Sequence, residues 1–344
     1  MIETNIENFI VCGCSEEVHR YRSIYRQSDM LCYDKNQWTY LVEILVITIK
    51  SLIPCDSSYG SSIDYGRFAE ELKLWYYYRH GENNCILGKL NNDENAYWEF
   101  EDDSVFSRIV PIIFANDDWT AGRNEVLKNI LFTTGRASSI LEGLATAKLL
   151  FALIGNPNIN YDNLVKQIKE EIVCFSQKDF IRDFNRYFMF SPDIYKKNYN
   201  IDFERKRIEL LNTLNGIDGC LEFNTLKHSL DIFEEPEKAH EGSFFFLGGI
   251  KGLKTNYEKK SIKDEDFIKN LCSFLVKLRK GRIAVESLQV EKYILPDIFQ
   301  YKEGDVFFHT LLKKCQVIRK ISNPDEIVSF IRTKSGIYRF WKTL

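Results

Sequence analysis

The feature that most constrains this 344-residue chain is a nearly continuous apolar stretch from Trp38 to Ile53, closed by Pro54. Only Glu43 and Lys50 interrupt the stretch, a pattern typical of a helix that is buried on most sides. The stretch is too short and too interrupted to span a membrane. We therefore expect a central helix inside a globular domain.

Helical periodicity recurs along most of the chain. The segment from Gly81 to Glu101 contains many Asn residues and is predicted to be a loop. Ser139 stands three residues before Glu142, which is the spacing of a capping box ahead of an apolar helix. The further segments predicted to be helical are Phe68 to Trp75, Arg108 to Phe114, Asn124 to Phe132, Ile140 to Ile154, Tyr161 to Phe175, Arg205 to Leu214, Leu221 to Phe233 and Asp264 to Leu278.

Alternation typical of strands is limited to Arg282 to Leu295 and the last few dozen residues. We therefore predict a mainly α fold, with an all-helical domain in residues 1–255. Residues 256–344 form a small mixed α/β extension, which either packs on the same core or makes a separate contact module. The basic and aromatic terminus Tyr338 to Lys342 belongs to this extension.

Charge and cysteine content exclude several classes of protein. The net charge is -3 with both signs mixed along the chain, so we expect neither a nucleic acid nor a membrane as partner. The nine cysteines cannot all pair within one chain, which favours a reducing compartment. Residues 1–8 contain Glu3 and Glu7 and lack a basic signal region. We expect a cytoplasmic protein.

Two motifs and the segments between them resemble the ADP-ribosylglycohydrolase family. Trp38-Thr39-Tyr40-Leu41-Val42-Glu43-Ile44 keeps the frame of the family motif W-T-D-D-T-x-M, and residues 241–252 keep the frame of G-G-D-T-D-T-x-x-x-I-x-G through Gly242, Ile250 and Gly252. The matches between them follow in the family's order. They are Asp64 to Trp75, Ser107 to Pro111, Thr134-Gly135, and the helix pair in residues 219–239.

The resemblance covers about Ile6 to Thr255 and implies an all-helical fold that binds or cleaves ADP-ribosyl groups. The family holds two Mg²⁺ ions with paired acids, because Mg²⁺ requires several oxygen ligands. Those acids are absent here, and Tyr21 stands where the family has a further Glu. The degenerate metal-site positions are Thr39, Tyr40, Leu41, Ser243, Phe245 and Phe246. We assign no catalytic residue, no metal ligand and no cofactor.

Other positions are candidates for binding. Arg136 and Ser138 precede or begin a predicted helix, a chemically suitable place for a phosphate, although an ordinary helix start explains them equally. The acidic run Glu99 to Asp103 ahead of Arg108 reads as a solvated loop or as a displaced acid site. The aromatic positions 244–246 either line an open cleft or fill the space of the lost metals. The candidate ligand-binding residues are Arg136, Ser138, Phe244, Arg108 and Asp103.

Three functions remain in competition. The first is a catalytically degenerate relative that binds ADP-ribose, an ADP-ribosylated protein, or an ADP-ribosyltransferase that it blocks as an immunity or antitoxin protein. The second is a glycoside hydrolase that works with two carboxylates and without magnesium. Glu43 and the acids from Glu99 to Asp103 are the candidates for its carboxylates. Glu16 and Glu17 stand near the position of the family's further Glu and could supply a shifted acid there. The third is a structural protein that assembles through an exposed aromatic surface.

Overall fold

A computed structural model describes residues 2–25, 36–55, 60–217, 222–235, 241–254, 258–288, 290 and 292–344. Helices dominate this part of the chain, and one four-stranded sheet lies near the carboxyl terminus. The prediction of a mainly α fold with a small mixed region at the carboxyl terminus is confirmed.

The first eight helices contain most of the predicted apolar segments. They are α1 Ile2–Tyr25, α2 Tyr40–Ser51, α3 Tyr65–Trp75, α4 Asn84–Asn91, α5 Glu94–Glu99, α6 Val105–Ala115, α7 Trp119–Leu131 and α8 Ala137–Gly155. Short polar side chains begin several of them: Asp64 accepts a hydrogen bond from the backbone N of Arg67 at 3.0 Å, and Asp118 accepts one from Ala121 at 2.7 Å. The predicted central helix is confirmed as α2.

Six further helices complete the helical part. They are α9 Tyr161–Cys174, α10 Gln177–Phe184, α11 Tyr199–Leu214, α12 Asn224–Glu234, α13 Phe244–Lys254 and α14 Glu265–Arg279. The apolar residues of α14 belong to the same core as those of α1 to α13, with Ile268 and Leu275 fully buried. The sequence placed the end of the helical domain at residue 255. The helical core extends beyond that residue.

Helices α4 and α5 correct the prediction of a loop from Gly81 to Glu101. Each begins at a polar cap, with Asn83 accepting from the backbone N of Ile86 at 2.7 Å and Asp93 from that of Ala96 at 3.1 Å. Asn92 between them adopts a left-handed conformation, which ends α4. Asn83 and Asn92 thus begin and end α4, and Asp93 begins α5.

Helices α2, α6 and α8 lie at the centre of the core, and nearly all of their side chains are buried. Among the described helices, α8 alone is long and apolar enough to cross a membrane, and 89% of its apolar stretch is buried inside the protein. Burial in the core accounts for its composition. Helix α8 begins at Ala137, so the prediction that Ser139 caps it was wrong; Glu142 instead accepts a hydrogen bond from the backbone N of Leu226 at 3.1 Å.

The strands form two antiparallel sheets. Strands β1 Leu52–Pro54 and β2 Ser61–Ile63 make a short ribbon beside α7. The larger sheet consists of β3 Val306–His309, β4 Lys313–Ser322, β5 Glu326–Thr333 and β6 Gly336–Thr343, paired in chain order. Strands among the last residues were predicted. The segment from Arg282 to Leu295 was also read as strand-like, but its described residues contain only a short 3-10 helix, Val285–Ser287.

The large sheet has a small core of its own, which joins it to the end of α3. Phe307, Val317, Ile331 and Phe340 are among its buried residues, and Leu74 of α3 completes the cluster. The backbone N of Trp341 donates to the carbonyl of Tyr77 at 2.8 Å, and the Tyr78 and Phe340 ring centroids are 5.7 Å apart. One face of the sheet is thereby covered.

Candidate functional site

The two resembling motifs come together where α1 meets α13 and the start of α2. Helices α1 and α13 approach closely because glycines lie between them: a Cβ on Gly13 would come within 2.6 Å of the carbonyl O of Phe245, and one on Gly249 within 2.4 Å of the Phe9 ring. The start of α2 packs beside them through Thr39 and Tyr40. This junction is the place that the resemblance assigns to the two magnesium ions.

Glu17 of α1 occupies the middle of the junction. Its Oε1 accepts a hydrogen bond from the Thr39 hydroxyl at 3.1 Å, and the backbone N–H of Phe245 donates to the same carboxyl. Glu17 is 1% exposed. Burial raises the pKa of this carboxyl to about 8, although both hydrogen bonds act in the opposite direction. One protonatable group thus links the two motifs.

Tyr40 and Asp103 form the outer part of the junction. The Tyr40 hydroxyl donates to Oδ2 of Asp103, and Nδ2 of Asn83 donates to Oδ1 at 2.6 Å. Desolvation is the main cause that raises the pKa of the Asp103 carboxyl to about 6. The Tyr21 ring packs against Tyr40 at 6.2 Å between centroids. Tyr40 therefore connects Asp103 to the junction, and Asp103 itself is exposed at the rim.

Apolar side chains fill the remaining metal-site positions. Leu41 is 5% exposed, and Phe245 and Phe246 are fully buried. The Phe246 ring lies 5.5 Å from the Phe9 ring and 6.0 Å from the Phe106 ring. The three adjacent Phe residues thus divide between core and edge, because Phe244 alone is partly exposed.

The donor set at the junction does not fit magnesium. Ser243 contributes its backbone N–H to Thr225 Oγ1 at 3.0 Å, and its own Oγ accepts from the backbone N of Phe246 at 3.3 Å. Its hydroxyl therefore serves as a helix cap. Thr39 donates to Glu17, and the described residues include no group of three or more His, Cys, Asp or Glu side chains that could hold a metal ion. Octahedral coordination requires more oxygen ligands than this junction offers.

Arg108 lies in the core, away from any surface. Its Nη2 forms an ion pair with Asp102 Oδ2 at 2.7 Å, and both side chains are 0% exposed. The guanidinium also donates to Ser104 Oγ at 3.1 Å, Asn129 Oδ1 at 2.6 Å and Thr133 Oγ1 at 2.6 Å. Through these bonds the guanidinium of Arg108 holds α6 to α7. Asp102 was read as part of a solvated or metal-binding run, and its complete burial corrects the solvated reading for that residue.

A polar cavity of about 170 Å³ lies at the start of α8, beside the predicted phosphate position. Arg136 Nη2 donates there to Glu222 Oε1 at 3.2 Å, and Lys206 Nζ lies 2.9 Å from Glu222 Oε2. The cavity is lined by both basic and acidic side chains and by two aromatic rings. The lining residues are Trp98, Glu99, Arg136, Ala137, Ser138, Tyr195, Lys197, Asp202, Arg205, Lys206 and Glu222.

Trp98 supplies an unused donor beside this cavity. The residue is 4% exposed, and its indole Nε1 has no hydrogen-bond partner among the described residues. Buried polar atoms usually have partners, so an unsatisfied N–H next to a polar cavity suggests a place for an acceptor atom. Arg136 and Ser138 both line this cavity, whereas Phe244, Arg108 and Asp103 do not.

Sequence reasoning missed Asn83, Trp98 and Glu222 as members of these sites. Asn83 and Trp98 both lay in the segment from Gly81 to Glu101, which was read as a loop. Glu222 lies 86 residues from Arg136 along the chain. The signal that could have drawn attention to Asn83 is its position three residues before Ile86, which is typical of a helix cap.

Comparison of the sequence with known proteins identified no relative that would help to interpret these two sites. No protein-family model matches the chain, and a search of curated proteins found no significant similarity. The resemblance described above therefore rests on the order and frame of short motifs. The junction at Glu17 and the cavity at Arg136 must be interpreted from their own chemistry.

Proposed function

We propose that this protein is a catalytically degenerate relative of the ADP-ribosylglycohydrolases that acts by binding an ADP-ribosyl group. The observation that supports the loss of catalysis is the junction: Phe245, Phe246 and Glu17 occupy the place where the family's metals would lie. The observation that supports binding is the polar cavity at Arg136. The junction offers too few oxygen ligands to hold the magnesium ions on which the family's chemistry depends.

The cavity offers chemistry for a phosphate. Backbone N–H groups at the start of α8 point out of the helix, and a 19-residue helix adds its positive end. Arg136 and Lys206 lie at the same place, and both form ion pairs with Glu222. A phosphate would replace Glu222 as the partner of Arg136.

The size of the cavity favours an ADP-ribosylated protein over free nucleotide. Sites that enclose a whole ligand usually have volumes of about 300 to 1,000 Å³. The cavity here is about 170 Å³ and has room for a phosphate and part of a ribose. The rest of the group would remain outside, where the protein that carries it could add contacts. An ADP-ribosyltransferase as partner has only the family resemblance in its support.

The test is a binding titration of ADP-ribose and of an ADP-ribosylated peptide in the presence of a chelator, followed by ligand-observed magnetic resonance. We expect saturable binding of both, tighter for the peptide. Arg136→Ala should weaken binding by about 1 to 3 kcal/mol, because a charge-assisted hydrogen bond is lost. Glu222→Gln should strengthen it, since the carboxylate that competes for Arg136 becomes neutral.

Arg182→Ala is the matched control. Arg182 is an exposed arginine on α10 that also pairs with carboxylates, Asp179 and Asp183, and it does not line the cavity. Its replacement should leave binding unchanged. Equal binding by the parent and Arg136→Ala, or loss of binding in the control, would contradict the assignment of this cavity.

The second candidate is a hydrolase that uses two carboxyls without metal. It is favoured by the raised pKa values of Glu17, about 8, and Asp103, about 6, because an acid and a base with separated pKa values suit glycoside cleavage. The burial of Glu17 opposes it, since a substrate could reach that carboxyl only after the rings move. Release of ADP-ribose from an ADP-ribosylated peptide, abolished in Glu17→Gln, would establish this function in place of binding alone.

A further inference from the structure

The carboxyl-terminal sheet carries a charge opposite to that of the rest of the chain. Residues 306–344 contain eight Lys and Arg residues and two Asp and Glu residues, a net charge of +6. Residues 1–305 contain 38 basic and 47 acidic residues, a net charge of -9. The net charge of -3 for the whole chain therefore conceals a local basic region, of the kind that suits an anionic partner.

The three arginines of this region lie on one face of the sheet. Side chains alternate between faces along a strand, and the inner face is identified by buried Val317, Ile331 and Phe340. On the outer face, Arg319 of β4, Phe330 of β5 and Arg339 of β6 are paired across the strands in one row. All three arginines of the sheet, including Arg332 in the next row, are exposed.

Apolar side chains lie between these cations. Phe308 pairs with Lys314 on the same face and is 50% exposed, and Ile337 pairs with Arg332 and is 61% exposed. Phe330 is partly exposed between its two arginines. The acid on this face of β5 is Glu326, about 13 Å from Phe330 along the strand at the usual rise per residue. The face is therefore a mixture of cations and rings.

The cations of the outer face have no partners within the described part of the chain. Arg319, Arg332, Arg339 and Lys314 form no ion pair there and donate no side-chain hydrogen bond. Several arginines of the helical part are paired with carboxylates, as Arg123 is with Glu171 at 2.6 Å. Unpaired cations held by a rigid sheet are available to an anionic ligand without loss of an existing bond.

We infer that the outer face of the β3–β6 sheet binds single-stranded nucleic acid. The row Arg319, Phe330, Arg339 places a ring between two guanidinium groups, with about 5 Å between neighbouring strands. A base can stack on the Phe330 ring while the flanking arginines contact phosphates, which is how sequence-tolerant single-strand binding works. An acidic peptide could pair with the arginines but offers no flat base for the ring.

The test is fluorescence anisotropy of the full-length protein with labelled DNA and RNA single strands of about 20 nucleotides, long enough for several stacked bases. We expect binding that weakens as salt is raised from about 50 to 200 mM, because cations of the nucleic acid are released. The Arg319→Gln and Arg339→Gln double variant should bind at least about tenfold more weakly and reduce the slope of log K against log salt by about 1.4, since two phosphate contacts are lost.

Phe330→Leu tests the ring separately from charge, because it keeps an apolar side chain at the same position. We expect binding about fivefold or more weaker, the lower end for loss of one stacked base, with an unchanged salt slope. Arg182→Gln combined with Arg186→Gln is the control for charge, as both residues are exposed arginines of the helical part that do not line the Arg136 cavity. Their replacement should leave the affinity nearly unchanged.

Several outcomes would overturn the inference. One is the absence of binding at low salt by a protein whose melting temperature shows that it is folded. Another is a double variant that binds as tightly as the parent. A third is competition by polyglutamate: if it displaces the labelled oligonucleotide as effectively as unlabelled oligonucleotide does, the ligand is an acidic protein segment. Comparison of DNA with RNA identifies which single strand supplies the bases and phosphates.

Discussion

Arginine has different surroundings in the helical part and in the sheet. Arg108 lies in the helical core, and its guanidinium contacts Asp102, Ser104, Asn129 and Thr133. The arginines of the outer sheet face are exposed and lack such partners in the described residues. A buried guanidinium must be paired because desolvation is costly, whereas an exposed one can remain unpaired. Environment thus decides whether an arginine holds the fold or can meet a ligand.

The same contrast applies to the two candidate sites of the helical part. The Glu17 junction is closed by rings, and its hydrogen bonds join parts of the protein to each other. The Arg136 cavity is polar, and its ion pairs with Glu222 lie beside open space. A junction of the first kind stabilises the fold. A cavity of the second kind can exchange an internal partner for a ligand.

The largest effect expected from this comparison is that of Arg108→Met. Removal of the guanidinium leaves Asp102 buried without its counter-ion, which we expect to lower the free energy of unfolding by about 3 to 5 kcal/mol. Urea-induced unfolding measures the change. Arg108→Lys keeps the charge but loses the fork of donors, so its effect should be intermediate. A loss below about 1 kcal/mol in Arg108→Met would mean that water reaches Asp102 and that the cluster is not buried.

The sequence was sufficient to predict the helices whose apolar residues repeat over several turns. Phe68, Leu72 and Trp75 gave the position of α3, and the apolar stretch from Trp38 gave that of α2. Helices α4 and α5 were missed because each is shorter than three turns and is surrounded by Asn. For short helices the caps carry more information than the periodicity, and Asn83 is an example.

The candidate sites were predictable only in part, because burial and long-range pairing are not visible in a sequence. Of the acidic run ahead of Arg108, Asp102 alone is fully buried, and nothing in the run distinguishes it from Asp103. The pairing of Arg136 with Glu222 depends on how α8 lies beside the segment before α12. The sheet face was obscured for a different reason, since the net charge of a whole chain averages over regions of opposite sign.

A smaller effect is expected at the Glu17 junction and depends on pH. The pKa of Glu17 is about 8 in the folded protein, against 4.5 for an unperturbed carboxyl. Between these two pH values the folded state holds a proton that the unfolded state has released. The stability due to this group is fully present below about pH 4.5 and is lost as the pH rises towards about 8. Glu17→Gln cannot titrate and should escape this loss.

The measurement is the difference in free energy of unfolding between Glu17→Gln and the parent. We expect it to shift in favour of the variant by about 3 kcal/mol from pH 5 to pH 8, since each unit of pKa corresponds to about 1.4 kcal/mol. Glu142→Gln is the matched control, because burial raises the pKa of that carboxyl to about 7. The difference in free energy of unfolding between Glu142→Gln and the parent should therefore level off at a lower pH than the difference for Glu17→Gln. A difference independent of pH would show that Glu17 is ionised in the folded protein.

The smallest effect is expected for Arg319→Met, the counterpart of Arg108→Met on the outer sheet face. Arg319 has no carboxylate partner in the described residues, and Arg339 lies two strands away in the same row, within the reach of unscreened charge at low salt. Its removal should relieve this repulsion and raise the free energy of unfolding by about 0.3 kcal/mol. The gain should disappear as salt is added, because screening removes the same repulsion from the parent. Urea-induced unfolding at low and high salt measures both quantities. A loss of about 1 kcal/mol or more would show that Arg319 has a partner that holds the sheet, and the difference between its role and that of Arg108 would then be one of degree.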